Sequence, residues 1–134
     1  WKLRYKGSCQ DIFFLTTIER IPEHIRVMYE EGEQHGYPYR DIGVYLQPIR
    51  QGCGWHCEFN LPFDPNSSRE VAKMRKLFPQ ASARLMDSKA FFSRPYGPWA
   101  DMAYRRDGAT TTLLKKVKEM FDPNNVMNPG KLCF

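Results

Sequence analysis

The sequence has few of the features that define a membrane, secreted or metal-binding protein. No apolar run approaches the roughly 20 residues needed to cross a bilayer, so no membrane span is predicted. Four cysteines in 134 residues are too few for a disulfide scaffold. Cys53 and Cys57 have a C-x3-C spacing, which matches neither the zinc pattern nor the redox pattern. These absences favour a reducing, cytoplasmic location and predict no metal site.

Three common catalytic and nucleotide-binding motifs are also missing. The chain contains no G-x-G-x-x-G and no phosphate-binding loop, so it is not predicted to hold a dinucleotide on its own. It contains no G-x-S-x-G turn, which disfavours a serine hydrolase.

Composition favours a folded domain with an anionic partner or ligand. Hydrophobic residues make up 42% and aromatic residues 14%, which is typical of a globular protein, and 134 residues fit one domain. The net charge is +5, but the basic residues are dispersed and no RNA-binding aromatic motif is present, so nucleic-acid binding is disfavoured. The chain starts at Trp1 rather than Met, and we therefore expect it to be a piece of a longer polypeptide.

The pattern of apolar residues and turn residues predicts an α+β fold. The first half is predicted to contain a strand at 9–18, a helix at 19–35 and strands at 42–49 and 53–61. A helix capped by Ser67 follows; Pro79 is predicted to end or kink it, and a further helical piece runs to residue 86. The remaining predicted elements are a strand at 89–93, a loop at 94–106 and a helix at 109–121. This order gives two split β-α-β units. It predicts a ferredoxin-like antiparallel sheet with helices on one face, followed by a C-terminal helix and an ordered tail.

The strand at 53–61 places candidate catalytic groups on one face. Alternation puts His56, Glu58 and Asn60 on one face, and it puts five residues on a core face: Cys53, Trp55, Cys57, Phe59 and Leu61. His56 is a candidate general base that Glu58 would tune. The same pattern is also typical of an ordinary hydrogen-bonded strand face, and both interpretations stay open. A metal site with Cys53 and Cys57 is disfavoured because His56 points away from both.

The end of the chain, residues 121–132, is unusually rich in turn residues. Asp122-Pro123 ends the preceding helix, because proline disfavours helical geometry in the residue before it. Two further turns, at Asn124-Asn125 and Asn128-Pro129-Gly130, surround an apolar Val126-Met127 pair. This succession predicts an ordered tail that is pinned against a surface.

The tail closely resembles the C-terminal signature of the flavin-linked oxidases of the vanillyl-alcohol oxidase and para-cresol methylhydroxylase family. That signature reads roughly DP-N-x-(I/V)-(L/M)-(A/N)-P-G-(K/R), and nearly every position agrees. The resemblance implies an FAD-dependent oxidoreductase in which residues 1–134 form the C-terminal substrate, or cap, domain. It implies hydride transfer to flavin from an aromatic alcohol, a phenol or a 2-hydroxy acid. The partners implied are an FAD-binding domain or subunit and a small-molecule substrate, and homo-oligomer formation stays open.

The resemblance also implies roles for individual residues. Arg94 falls at the arginine that holds a substrate phenolate in similar phenol oxidases, Ser93 falls where those enzymes have a tyrosine, and Tyr96 is a candidate replacement. Together with His56 from the strand face, the candidate catalytic residues are therefore His56, Arg94 and Tyr96. The implied cofactor-side residues are Tyr45 as a pocket wall and Asn128 and Lys131 in the tail. Gly43 lies where several members carry a histidine bonded to the flavin, so a covalent flavin through this segment is not expected.

Two alternatives limit this interpretation. Relatives that oxidise D-2-hydroxy acids share the Asn-Pro-Gly-Lys ending, but their histidine-rich motifs are missing here, so the aromatic-alcohol branch fits better. A stand-alone ferredoxin-like binding or oligomerisation module without catalysis explains the charge and topology equally well, but it gives no reason for the tail. The isolated 134 residues are expected to be inactive.

Overall fold

The computed structural model describes residues 2–49 and 52–134. They divide into two compact units, one that ends at Ser93 and one that runs from Arg94 to Phe134. That the chain acts as a single C-terminal domain of a larger enzyme stays a prediction.

The first unit is an α+β structure built on a three-stranded antiparallel sheet with strand order β1-β3-β2. Its elements are α1 (Lys2–Lys6), β1 (Ser8–Thr16), α2 (Ile21–Gln34), β2 (Gly43–Ile49), β3 (Gly54–Phe63) and α3 (Ser68–Asp87). The predicted α+β class is confirmed. The helix predicted at 19–35, which corresponds to α2, and the first three predicted strands are confirmed to within a few residues. The helix α1 was not predicted.

The core lies between one face of the sheet and helices α2 and α3. Ile12 pairs with Phe59 and Phe14 pairs with Cys57, so these four side chains share a face, and none of them is exposed to solvent. Helix α2 contributes the fully buried Met28, and α3 contributes Leu77 and Leu85. Burial of an aromatic side chain such as Phe14 or Phe59 stabilises the fold by about 2 kcal/mol. The predicted core face is confirmed for Cys57, Phe59 and Leu61. It is wrong for Cys53, which is exposed and precedes β3, and Trp55 is only half-buried.

Two polar residues of α2, His24 and Glu31, are buried, which the apolar pattern of the sequence did not indicate. The apolar residues Ile25 and Tyr29 of the same helix are only half-buried. The two polar residues have partners that make their burial tolerable: His24 contacts the hydroxyls of Thr16 and Ser88, and the Glu31 carboxylate accepts from Arg84 Nη1 at 2.7 Å.

The prolines of β3 and α3 lie inside these two elements and do not end them. β3 continues through Pro62 to Phe63. Leu15 exchanges both of its backbone hydrogen bonds with Phe91, so its backbone groups point away from β3. Because the direction alternates along a strand, the backbone groups of Cys9 also point away from β3, and Cys9 and Pro62 form a non-hydrogen-bonded pair. The missing N–H of Pro62 therefore removes no hydrogen bond between β1 and β3. Pro79 lies inside a continuous α3 and does not end it.

The N-terminus of α3 has the predicted serine cap. Ser67 Oγ accepts from the backbone N–H of Glu70 at 3.3 Å. The reciprocal bond of a capping box goes elsewhere, because the Glu70 carboxylate accepts from the backbone N–H of Asp64 at 2.9 Å.

The strand predicted at 89–93 is wrong as a strand. Phe91 makes one antiparallel bridge to Leu15, with N···O distances of 2.8 and 2.9 Å, on the open edge of β1. This is the edge on which a fourth ferredoxin-like strand would lie. The ferredoxin-like description therefore stays a prediction.

The second unit contains two helices and the tail. α4 (Pro98–Tyr104) lies where a loop was predicted, and that prediction is wrong. α5 (Gly108–Phe121) confirms the last predicted helix, and its N-terminus is capped by Asp107, which accepts from Thr110 N–H at 2.9 Å. Among the residues that the structure describes, no helix is both long and apolar enough to span a membrane.

Candidate functional site

The face of the sheet opposite the α2–α3 core carries His56, one of the three predicted catalytic residues, and Tyr45, the predicted pocket wall. The register pairs Asp11 with Asn60, Glu58 with both Phe13 and Tyr45, and Gln47 with His56. Pairing and alternation therefore place these side chains on one face. We call it the polar sheet face and define it by Asp11, Phe13, Tyr45, Gln47, His56, Glu58 and Asn60.

His56 lies on the middle strand, β3, at one end of the polar sheet face. Its Nε2 is 3.3 Å from Glu58 Oε2, and its side chain is 16% exposed. Because an ionised carboxylate only accepts hydrogen bonds, Nε2 carries the hydrogen and Nδ1 keeps a free lone pair in the neutral ring. The rings of Phe13 and Tyr45 lie 6.0 and 6.1 Å from the imidazole. The arrangement suits a proton acceptor in a partly dry, aromatic setting.

Glu58 is held in its charged form by three neighbours. Burial alone would raise the pKa of Glu58, but hydrogen bonds from Lys2, Asn60 and His56 outweigh it and hold the pKa below the ordinary value. Burial would lower the pKa of Lys2, yet its bonds to Glu58 and to Asp11 raise that pKa above its usual value. Glu58 therefore stays a carboxylate at neutral pH, as the orientation of His56 requires.

Asn60 joins the two carboxylates of the polar sheet face. Its side chain is nearly fully buried, and Nδ2 donates to Asp11 Oδ1 at 2.8 Å and to Glu58 Oε1 at 2.6 Å. Gly43 lies directly opposite, and a Cβ added there would come 3.2 Å from the Asn60 Cβ. A larger residue at position 43 would therefore displace Asn60.

The structure brings together only some of the predicted site residues. Tyr45 lies beside His56, is 49% exposed, and its hydroxyl donates to Gln47 Oε1 at 3.3 Å. Arg94 and Tyr96 belong to the second unit, where both are exposed. The Tyr96 ring lies 5.2 Å from that of the buried Trp99. The roles assigned to these residues stay predictions.

Three residues of this cluster were missed by sequence reasoning. Asp11 and Phe13 could have been found, because a carboxylate alternating with apolar residues in a strand indicates a polar second face. Lys2 gave no signal, since its partner Glu58 lies 56 residues further along the chain.

The tail is fixed to the end of α5 through Asp122. Asp122 Oδ1 accepts from the backbone N–H of Val126 at 2.9 Å, and Oδ2 accepts from that of Met127 at 2.8 Å. Lys118 donates both to the Asp122 carboxylate and, at 2.5 Å, to the Met127 carbonyl. The hydrogen bond from Lys118 holds the pKa of Asp122 below its usual value. Asp122 thus orders the tail that follows the helix.

The tail makes the turns that its sequence predicts. Asn125, Asn128 and Gly130 have φ values of 47°, 49° and 71°, the left-handed region that Asn and Gly tolerate best. Asn128 and Lys131 are exposed, and the Lys131 backbone N–H donates to the Asn128 carbonyl at 3.2 Å. Their side chains are therefore presented on the surface of the second unit.

Helix α5 and the tail expose a set of large apolar side chains. None of the α5 residues is buried. We define the apolar α5–tail surface by six residues that are between 42% and 77% exposed: Leu113, Val117, Met120, Phe121, Val126 and Met127. Exposed apolar groups at i, i+4 and i+7 of a helix are typical of a docking surface.

The polar sheet face suits one end of an FAD molecule but not the other. Phe13, Tyr45 and Gln47 offer aromatic and hydrogen-bonding groups for a flavin ring. Asp11 and Glu58 carry two negative charges against the single positive charge of Lys2, which disfavours the diphosphate of the cofactor on this face. Within residues 2–49 and 52–134, no group of three or more His, Cys, Asp or Glu side chains could hold a metal ion.

Comparison with known proteins agrees with the interpretation of the tail. No curated protein and no solved structure matches the chain. A family model described as FAD linked oxidases, C-terminal domain, matches residues 98–132, which include α4, α5 and most of the tail. The match supports a general FAD-linked oxidase domain and leaves the narrower resemblance untested. Residues 98–132 are therefore similar to the C-terminal domain of the FAD linked oxidases.

Proposed function

We propose that this chain is the substrate-side, C-terminal part of an FAD-dependent oxidoreductase. The observation that carries the proposal is the family match over residues 98–132, which covers the segment that Asp122 holds in a fixed shape. The FAD-binding domain or subunit would be supplied by another part of the same enzyme. The cytoplasmic location and a homo-oligomeric state stay predictions.

The polar sheet face is the proposed reaction surface. FAD, when bound, would supply the two-electron redox chemistry. Tyr45, Phe13 and Gln47 would line the space between the cofactor ring and the sheet. A flavin bound without a covalent bond to this segment is consistent with Gly43, which offers no side chain for such a bond, and a Cβ added there would lie only 3.2 Å from the Asn60 Cβ.

His56 is the proposed base. Its free Nδ1 would accept the proton of a substrate hydroxyl, while Glu58 fixes the ring through Nε2 and stabilises the imidazolium that forms. Phe13 and Tyr45 would limit access of water to the ring. This division of labour needs Glu58 to be ionised, and its lowered pKa satisfies that requirement.

The proposed substrate is an aromatic alcohol or phenol, with a 2-hydroxy acid as the second candidate. The carboxylates of Asp11 and Glu58 disfavour a substrate carboxylate at the polar sheet face, which places the aromatic alcohol ahead of the 2-hydroxy acid. Arg94, helped by Tyr96, would bind a phenolate or a carboxylate through charge-assisted hydrogen bonds.

The apolar α5–tail surface is the proposed contact with the FAD-binding domain. Asp122 and Lys118 fix the tail, so Val126 and Met127 can dock without a large loss of conformational entropy. Asn128 and Lys131 would then lie at this interface or close to the cofactor.

Oxidation assays on the full-length polypeptide test the proposal. With a dye as electron acceptor, we expect turnover of aromatic alcohols, and His56→Gln should lower kcat by about 100-fold because a general base is lost. His35→Gln is the matched control, since His35 lies at the end of α2, where its Nδ1 is 2.8 Å from the Glu31 carbonyl oxygen and 3.7 Å from Glu31 Oε2, and it is not part of the polar sheet face. Arg94→Ala should mainly raise KM. Equal kcat values for His56→Gln and His35→Gln would contradict the role of His56.

A further inference from the structure

The first half of α3 exposes a basic surface that the proposed flavin chemistry does not use. Arg69, Lys73 and Lys76 follow one another at i, i+4 and i+7, and Arg75 lies beside them. We call these four residues the basic α3 face. Two shallow grooves, of 510 and 450 Å³, run along it and share Ala72 and Lys76. Within the described chain, no Asp or Glu side chain lines either groove.

The charges of this face are not compensated within the described chain. Arg69, Arg75 and Lys76 make no hydrogen bond or ion pair to the residues that the structure describes. Lys73 donates to the carbonyl of Gly36 at 2.6 Å, which leaves its charge unpaired. The neighbouring Glu70 bonds the Asp64 backbone instead. Like charges at i, i+3 and i, i+4 destabilise a helix. The cluster therefore lowers the stability of α3 unless an anionic partner neutralises it.

The lining of the grooves decides which kind of polyanion fits. No aromatic side chain other than His35 is present, so the face lacks the platform on which single-stranded bases stack. Its apolar members are small, Pro65, Val71 and Ala72, and offer nothing to insert into a bilayer. Arg69 and Arg75 carry planar guanidinium groups, which pair with carboxylates through two parallel hydrogen bonds.

We propose that the basic α3 face docks an acidic segment of a partner protein. The cations span about 10 Å along the helix axis, because seven residues rise by about 1.5 Å each. The complementary partner presents Asp or Glu side chains at the same i, i+4 and i+7 spacing. This interaction is independent of the flavin chemistry proposed above.

The test measures binding of a synthetic peptide to the full-length polypeptide. The probe is a fluorescent helical peptide with Glu at i, i+4 and i+7, and the same peptide with Gln at these positions is the blank. Fluorescence anisotropy should show binding of the Glu peptide that weakens as salt is added. The variant Arg69→Gln/Arg75→Gln/Lys76→Gln should bind about tenfold more weakly, since each exposed pair contributes a small factor. Lys73 is kept because of its bond to Gly36.

A matched variant separates the face from net charge. Arg4→Gln/Lys89→Gln/Lys116→Gln removes three exposed cations elsewhere and should leave peptide binding unchanged. Equal loss in the two variants, or no loss in the α3 variant, would overturn the proposal. A single-stranded oligonucleotide and phosphatidylserine vesicles are tested in parallel. Tighter binding of either one, abolished by the α3 substitutions, would also overturn it. Equal thermal unfolding midpoints for both variants and the parent protein would show that the substitutions leave the fold intact, whether or not the protein carries flavin.

Discussion

His24 is a buried imidazole with a hydroxyl partner at each ring nitrogen. Nε2 lies 2.8 Å from Thr16 Oγ1, and Nδ1 lies 3.1 Å from Ser88 Oγ. The Ser88 hydroxyl donates to the Leu85 carbonyl, so it accepts from Nδ1, and Thr16 donates to Nε2. Burial lowers the pKa of His24 below its ordinary value of 6.5, with Arg20 acting in the same direction and Glu23 against it.

This lowered pKa makes stability depend on pH. Below pH 6.5 the unfolded chain takes up a proton that folded His24 resists, so the free energy of unfolding should fall with pH from 6.5 towards the folded pKa. Urea unfolding at about pH 7.5 and about pH 5.5 measures this change in the free energy of unfolding. At the higher pH, His24→Gln should be about 1–2 kcal/mol less stable than the parent protein, and its free energy of unfolding should fall less on acidification. Parallel losses in the two proteins would contradict the assignment.

The residues of the polar sheet face show what the sequence could and could not predict at this scale. A side-chain period of two placed His56, Glu58 and Asn60 together, because that period is a property of any strand. It could not place Lys2 against Glu58 or Asp11 against Asn60, since these contacts depend on how distant elements meet.

Among the elements, α3 is unusual because it runs through Pro79. The proline has no N–H to donate to the carbonyl four residues earlier, and its ring crowds that turn. Pro79→Ala should therefore stabilise the protein by about 1–2 kcal/mol, less than the ~3 kcal/mol of a straight helix because the native helix has adapted. Thermal unfolding measures the change.

Gln80→Ala is the control for this substitution. Gln80 is exposed on the same turn, so its replacement reports helix propensity alone and should change stability by a few tenths of a kcal/mol. A loss of stability in Pro79→Ala would contradict this prediction, and it would show that the proline ring contributes more to packing beside the buried Leu77 and Ala81 than it costs the helix.

The tail depends on one side chain. In Asp122→Ala the backbone N–H groups of Val126 and Met127 lose their acceptor, so their amide hydrogen exchange should speed up by about tenfold or more. Asn124→Ala, at an exposed position of the same turn, should leave both rates unchanged. Unchanged exchange in Asp122→Ala would mean that Asp122 does not order the tail.

Two elements show the limits of pattern reading. α4 was missed although Pro98 at its first turn and Asp101 in that turn are helix-start signals, because the prolines and Gly97 nearby indicated a loop. The strand predicted at 89–93 has the right composition, but Lys89 adopts a φ of 70° and only Phe91 reaches β1. Strand formation needs a partner edge over several residues, which composition does not report.

At the scale of the whole molecule, the two observations that support the proposed function lie in different units. The family match and the ordered tail are in the second unit, and the His56–Glu58 pair is in the first. The proposed oxidoreductase function needs both features and depends on FAD. Retention of FAD by the full-length polypeptide is therefore the prediction on which that function stands or falls.

The visible absorption spectrum of the purified full-length polypeptide shows whether FAD is retained. We predict flavin bands near about 370 and 450 nm that appear in the supernatant after acid precipitation, since the cofactor is expected to be non-covalent. Asp122→Ala should lower the flavin content, and Asn124→Ala should not. A folded protein that is colourless, and that stays colourless after addition of FAD, would contradict the account and favour a binding or oligomerisation module without catalysis.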